Sequence, residues 1–391
     1  MPKEIKVQEG RVALTPRGVQ RLTRQGHKVF IQRGAGIAAG IADHDYRATG
    51  AATLPTAPAI YRIAEMIYKV KEPQPAESRL IRKGQLIYSF LHLDYRKGLT
   101  ELLMRKKCNA VAFENIHSAD GSFPLLRPMS DIAGRVGALT AARLLQTLFG
   151  GKGILLNSMP GAPPAEVVVL GGGVAGSAAA QTCAALGANV TLLTEHLGGK
   201  LYAPNLLLPN ITQRVSTQRN IARPVRKADV LINCIHWLPQ RGRYLVTKDM
   251  VKSMRRGSII IDVSCLTPCG PIETSRETTH DEPTYVRHGV IHYCVGNLPG
   301  IVPATASKAL EACSLPYAIK LADMGFEAAV RSDKALAAGV VVARGKVTWK
   351  PLEELFGIAY TPLAEALAPT SVVSGSRRAS SRTARNTDRS R

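Results

Sequence analysis

The chain has 391 residues, enough for two domains each with its own core, and its 45% hydrophobic content is ordinary for a globular protein. A formal charge of +22 favours anionic ligands; six Arg against one Asp between Ser376 and Arg391 put part of it in a tail with no large apolar residue. No apolar run reaches the roughly 20 residues that span a bilayer, Met1 to Lys6 has no secretory apolar core, and seven scattered Cys suit reduced thiols, so the expectation is a cytoplasmic protein without a membrane segment.

In chain order, Pro16 to Gln25 suits a helix with Pro at its first position, ended by Gly26. Strands are expected at Lys28 to Ile31, Met66 to Lys71, Gln85 to Phe90 and Asn109 to Phe113, with a short helix from Asp43 to Thr49. Ser130 to Phe149 reads as a helix joining two halves. After it, strands fit Asp229 to Asn233, Ser258 to Asp262 and Val290 to Cys294, and a helix from Thr305 to Met324 returns to the first half. The alternation implies an α/β fold of two Rossmann-like domains with doubly wound parallel sheets and an active-site cleft between them. The expected division is 1–124 plus 303–368 for the substrate domain, 125–302 for the dinucleotide-binding domain, and 369–391 for a disordered Arg/Ser-rich tail. Lacking aromatic residues among its Arg, that tail gives no nucleic-acid signature.

The strongest motif is Val167-Val168-Val169-Leu170-Gly171-Gly172-Gly173-Val174-Ala175-Gly176, a β-branched strand running into G-x-G-x-x-G. A small-residue helix follows, then a second apolar strand, Asn189 to Leu193. Gly171 permits the turn, Gly173 lets the backbone approach a pyrophosphate, and Gly176 lets helix and strand pack closely. The position after the second strand, where a carboxylate binds the adenosine ribose, is Thr194, with Glu195 one residue later. Glu195 at that turn would favour NAD, and Thr194 alone would leave NADP open.

Three residues at strand ends or turns could carry chemistry. Arg11 is suited to a carboxylate clamp, Lys71 to a substrate carbonyl or carboxylate, and His92 to proton transfer near neutral pH. Each also has a plainer reading, the cations as surface charges and His92 as a buried, hydrogen-bonded histidine. Cys265 and Cys269 lack a second Cys/His pair at zinc spacing, so no metal is expected.

These segments resemble the alanine dehydrogenase family, which shares its fold with the nucleotide-binding α domain of proton-translocating transhydrogenase. The resemblance rests on Glu9-Gly10-Arg11-Val12-Ala13-Leu14-Thr15-Pro16, Lys69-Val70-Lys71-Glu72-Pro73, Phe90-Leu91-His92-Leu93 and Pro128 to Arg135. It continues through the Gly171 loop, Thr279-His280-Asp281-Glu282-Pro283-Thr284-Tyr285 and Tyr293-Cys294-Val295-Gly296-Asn297-Leu298-Pro299. It implies oxidative deamination of L-alanine to pyruvate and ammonium with hydride transfer to NAD, in a hexamer. Arg11 and Lys71 would hold the substrate, His92 would be the acid/base, and Asn297 would lie near substrate and nicotinamide. Ser130, Ala175, Gly176, Ser216, Val295, Asn297 and Leu298 would contact the dinucleotide.

The chain departs from the family at three places. The family's second catalytic residue, an Asp four positions after the Asp of Ile261-Asp262-Val263, is Leu266 here, and Thr267-Pro268-Cys269-Gly270 replaces a Gln-Gly-Gly turn. Removing such a group implies a roughly 10²–10⁴-fold slower reaction. Thr194 is the second departure. The third is that the family opens with a strand ahead of the Pro-x-Glu-x-Lys segment, while Met1-Pro2 stands first here; either translation starts upstream or that strand is missing, which would uncover its sheet neighbour. Leu266 also leaves open a related NAD(P)-dependent reductase of another oxo acid and amine, or a dinucleotide-binding homologue without catalysis.

Overall fold

The computed structural model describes residues 1–196, 208–235, 244–265 and 270–369. Leu266 and residues 267–269, like the Arg-rich tail beyond 369, lie outside the described residues.

Among the described residues fourteen strands form three sheets: β1 (Phe30–Gln32), β2 (Ala52–Leu54), β3 (Met66–Tyr68), β4 (Leu86–Ser89), β5 (Asn109–Ala112), β6 (Glu166–Leu170) and β7 (Asn189–Thr194), followed by β8 (Ile211–Val215), β9 (Val230–Asn233), β10 (Ile259–Asp262), β11 (Thr284–Arg287), β12 (Val290–Tyr293), β13 (Val340–Ala343) and β14 (Lys346–Val347). The largest sheet has the order β11-β12-β10-β9-β6-β7-β8 and is parallel except for the edge strand β11. Chain order reverses at β6, so β6 and β9 flank the switch point where such sheets take ligands. Four consecutive buried residues in each of β9, β10 and β12 match strands covered on both faces.

The smaller sheet has the order β14-β13-β5-β4-β3. It is parallel through β3, β4 and β5, and antiparallel where β13 and β14 return from the C-terminal part of the chain. β1 and β2 form a separate parallel pair. Met1 meets the edge of β1: its amino group donates to the Phe30 carbonyl at 2.6 Å, and the Gln32 amide donates to the Met1 carbonyl at 3.0 Å.

The joining helix runs Leu126–Leu144, four residues earlier than the sequence suggests. Pro128 falls in its first turn, where amides have no partner to lose. A separate 3-10 turn, Thr147–Phe149, replaces its expected last turn. Gly134 fits this helix against the helix Val174–Ala185; a Cβ there would stand 2.0 Å from the Ala175 carbonyl oxygen. The helix Pro303–Met324 returns to the first half, where Ser307 accepts the Val12 amide and Glu311 the Thr15 amide.

Candidate functional site

The glycine loop satisfies the geometry its spacing implies. Gly171 takes φ +97°, a left-handed conformation that favours glycine. A Cβ on Gly176 would lie 1.8 Å from the Gly171 carbonyl oxygen, so only glycine closes this strand against its helix. A Cβ on Gly173 would meet nothing within 4 Å. That open space sits at the N-cap of the twelve-residue helix Val174–Ala185, whose free amides and dipole suit a pyrophosphate. The donor set therefore fits a dinucleotide.

At the end of β7, the Thr194 hydroxyl donates to the His196 carbonyl at 3.0 Å and accepts from Gln213 Nε2 at 3.1 Å. Thr194 is buried and its side chain already partnered, whereas Glu195 is exposed. Ser216, just past β8, donates its amide to the Thr194 carbonyl at 2.7 Å, and its buried Oγ has no hydrogen-bond partner among the described residues. Ser130 is half-buried in the first turns of the joining helix, and Ala175 is half-buried beside the glycine loop. Val295 and Leu298 are buried and support the turn between them rather than exposing side chains.

Arg11 is 2% exposed and held on three sides. Its Nε donates to Glu9 Oε1 at 2.6 Å, one terminal nitrogen donates to Asn297 Oδ1 at 2.6 Å, and the other lies 3.1 Å from the Met129 sulfur. Asn297, itself at φ +64°, donates back to Glu9 Oε2 at 3.0 Å. Glu9 is the residue that sequence reasoning passed over. Burial works against its charge, but Arg11, Lys71 and Asn297 outweigh burial and hold its pKa below the usual range. Its only sequence signal was its place two residues before Arg11.

The two lysines after β3 differ sharply. Lys69 is fully buried and donates to both oxygens of Glu77, at 2.8 and 2.7 Å, with Glu4 at 3.4 Å. Glu4 also accepts the Val70 amide at 2.6 Å, which fixes the strand end. Lys71 has no carboxylate within ion-pair distance among the described residues. Burial, then the charges of Arg11 and Lys6, bring its pKa down to about 8.

His92 lies three residues past β4, at φ +45° just ahead of the 3-10 turn Leu93–Tyr95, its ring stacked on Phe90 at 5.9 Å between centroids. Burial, then the Lys71 charge, lower its pKa to about 3, so the ring is neutral. Glu114, at the end of β5, accepts the His92 amide at 2.5 Å and the Leu91 amide at 3.1 Å. Burial lifts the Glu114 carboxyl to about 7. Nothing in the sequence pointed to Glu114, because only the pairing of β4 with β5 brings it beneath His92. Glu72 neighbours the group, bound by Lys6 at 3.0 Å and Arg96 at 2.6 Å.

Arg11, Lys71 and His92 thus form one cluster of two cations and a neutral imidazole, Arg11 acting electrostatically on Lys71 and Lys71 on His92. Asn297 ties it to the larger sheet. Beside Glu9 lies an opening of about 1060 Å³ lined by Lys6, Gly10, Arg143, His280 and Gly300; Arg11, Lys71 and His92 do not line it. His280, whose ring bonds the Asn297 backbone, has a buried Nε2 without a partner among the described residues.

Two family descriptions match the chain: "Alanine dehydrogenase/PNT, N-terminal domain" over residues 1–133 and "Alanine dehydrogenase/PNT, C-terminal domain" over residues 137–350. An alanine dehydrogenase of Methanococcus maripaludis is 44% identical over 368 residues, covering 94% of this chain and 98% of that protein. An alanine dehydrogenase of Bacillus subtilis is 40% identical over 376 residues, covering 96% and 99%. A solved structure titled L-alanine dehydrogenase superposes with a TM-score of 0.86 at 42% identity, covering 91% of this chain and 98% of that one. A transhydrogenase structure from Sinorhizobium meliloti, at 23% identity and a TM-score of 0.75 over 88% and 98% of the two chains, shares the fold. The glycine loop, the Glu9–Arg11–Asn297 cluster and these matches together show that the chain belongs to the alanine dehydrogenase/PNT family.

Proposed function

We propose that this protein is an NAD-dependent L-alanine dehydrogenase, interconverting L-alanine with pyruvate and ammonium. The observation that carries the reading is the cluster of Arg11, unpaired Lys71 and neutral His92 anchored by Asn297. The bound nicotinamide supplies the hydride acceptor and donor. Arg11 and Lys71 receive the substrate carboxylate and carbonyl oxygen, and an anion there relieves the repulsion between the two cations. His92 is neutral until that anion offsets the Lys71 charge, and then takes the proton from the reacting nitrogen or oxygen. Asn297 joins substrate and dinucleotide halves by holding Arg11 at the turn that faces the nicotinamide. Gly171, Gly173, Ala175, Gly176, Ser130, Ser216, Val295 and Leu298 form the dinucleotide cradle.

NAD is favoured over NADP because Glu195 is exposed beyond β7, where its carboxylate binds the ribose hydroxyls and repels a 2′-phosphate. Thr194 supports that turn from within. The substrate half comprises 1–124 and 303–368, the dinucleotide half 125–302. By resemblance the assembly is a cytoplasmic homo-hexamer.

The test is nicotinamide oxidation by the purified protein with pyruvate and ammonium, run with NADH and NADPH. NADH turnover abolished by His92→Ala, and rising in Leu266→Asp, is the expected result. Dinucleotide binding without turnover under any of these conditions overturns it. Leu266 and the Thr267-Pro268-Cys269 sequence favour one second reading, a reductase of a larger oxo acid or amine, which turnover of such substrates in place of pyruvate and ammonium would establish.

A further inference from the structure

Three buried side chains from separate stretches meet where β10 and β12 end. Asp262 closes β10, Cys265 follows three residues on, and Cys294 follows β12. The parallel register pairs Ile261 with Tyr293, which sets Asp262 alongside Cys294. One ligand atom of each lies within 4.8 Å of the other two, and the residues are 1%, 5% and 0% exposed. Asp262 Oδ1 accepts from Asn233 Nδ2 at 2.8 Å and Ser275 and the Ser264 amide also support the carboxylate, while Oδ2, sealed from water, has no close hydrogen-bond partner among the described residues. An unsatisfied buried carboxylate oxygen is costly in a native fold and calls for a partner.

We propose that Asp262, Cys265 and Cys294 form a binding site for a soft divalent cation of the zinc class, held by two thiolates and one carboxylate oxygen. Tetrahedral zinc has bonds of about 2.3 Å to sulfur and about 2.0–2.2 Å to oxygen, which puts neighbouring ligand atoms roughly 3.5–3.8 Å apart. The three ligand atoms, all within 4.8 Å of one another, would have to draw together by at most about 1 Å to reach it. The fourth position is left to water. Two thiolates and a carboxylate without a counter-charge are untenable in a dry site, so the thiols are protonated when no cation is bound. Cation binding therefore releases two thiol protons. The bound ion ties the end of β10 to the turn that carries Asn297. Sequence spacing gave no hint of this site, because Cys294 joins Cys265 only through strand pairing.

The test uses the full chain, freshly reduced and stripped of metal, titrated with Co²⁺ under anaerobic conditions. A near-ultraviolet thiolate-to-cobalt absorption saturating at one equivalent per chain is expected, with release of about two protons near neutral pH and displacement by Zn²⁺. Cys294→Ser should abolish the band and Cys183→Ser should retain it. Because a buried substitution can disturb folding, zinc-edge X-ray absorption of the wild-type protein gives an independent reading: two sulfur neighbours at about 2.3 Å. The proposal is overturned by a shell of oxygen and nitrogen alone, by the absence of saturable absorption, or by loss of two thiols as a disulfide without metal uptake.

Discussion

Arg11 and Asn297, 286 positions apart in sequence, share a hydrogen bond of 2.6 Å, and Glu9 binds both. The contact places the guanidinium at the junction of the two halves. Asn297→Ala removes the acceptor for Arg11 and one donor to Glu9, and puts alanine at φ +64°, a cost of roughly 1–2 kcal/mol. The expected outcome is a rise of about tenfold or more in KM for pyruvate, corresponding to roughly 1.4 kcal/mol or more, with the protein still folded by circular dichroism. An unchanged KM would remove Asn297 from the site.

Lys69 and Lys71 should respond oppositely to removal. Lys69→Ala leaves Glu77 and Glu4 buried without their cation and should cost about 3–5 kcal/mol in denaturant unfolding. Lys71→Ala removes a half-buried cation without a carboxylate partner among the described residues, so its stability should be unchanged or higher while activity is lost. Equal losses of stability would contradict this division of roles.

The pH profile should report Lys71. Its pKa in the free site is about 8, so kcat/KM for pyruvate should fall as pH rises through about 8. Lys71→Arg keeps its charge through that range and should lose this limb even if its rate is lower. The lowered pKa also bears on stability: the unfolded chain holds more protons between about 8 and 10.5, so this group adds stability as pH rises through that window.

The two glycines separate folding from binding. Gly176→Ala places a methyl 1.8 Å from the Gly171 carbonyl and should lower the melting temperature measurably, since overpacking costs roughly 1–3 kcal/mol. Gly173→Ala meets no protein atom within 4 Å, so melting should be unchanged. Its methyl would occupy the space for the pyrophosphate, and Kd for the dinucleotide should rise about tenfold or more, measured calorimetrically. Unaltered affinity would place the phosphates elsewhere.

Glu114 offers a further stability test. Its carboxyl titrates near 7 in the fold against 4.5 in the unfolded chain. The folded state binds more protons between those values, so this group's contribution falls as pH rises from about 4.5 to about 7. Glu114→Gln retains an oxygen for the Leu91 and His92 amides, and should flatten that part of the melting-temperature profile.

The local signals were legible in the sequence wherever the physics is local. The strand–glycine–helix segment around Gly171 was readable because tight turns and close backbone approach demand glycine at set spacings. Strands β4, β5, β9, β10 and β12 were readable from their buried runs. Arg11, Lys71 and His92 stood out by residue type at strand ends, and the family resemblance assigned their roles. Strands β13 and β14 escaped notice because a short apolar run does not reveal that it will return antiparallel to β5. Tertiary structure alone decided which lysine is neutralised, that Glu9 clamps Arg11, that Glu114 sits under His92, and that Cys294 meets Cys265 and Asp262. Backbone preference and hydrophobic period act over a few residues, whereas the pairing of buried charges depends on which distant strands lie side by side.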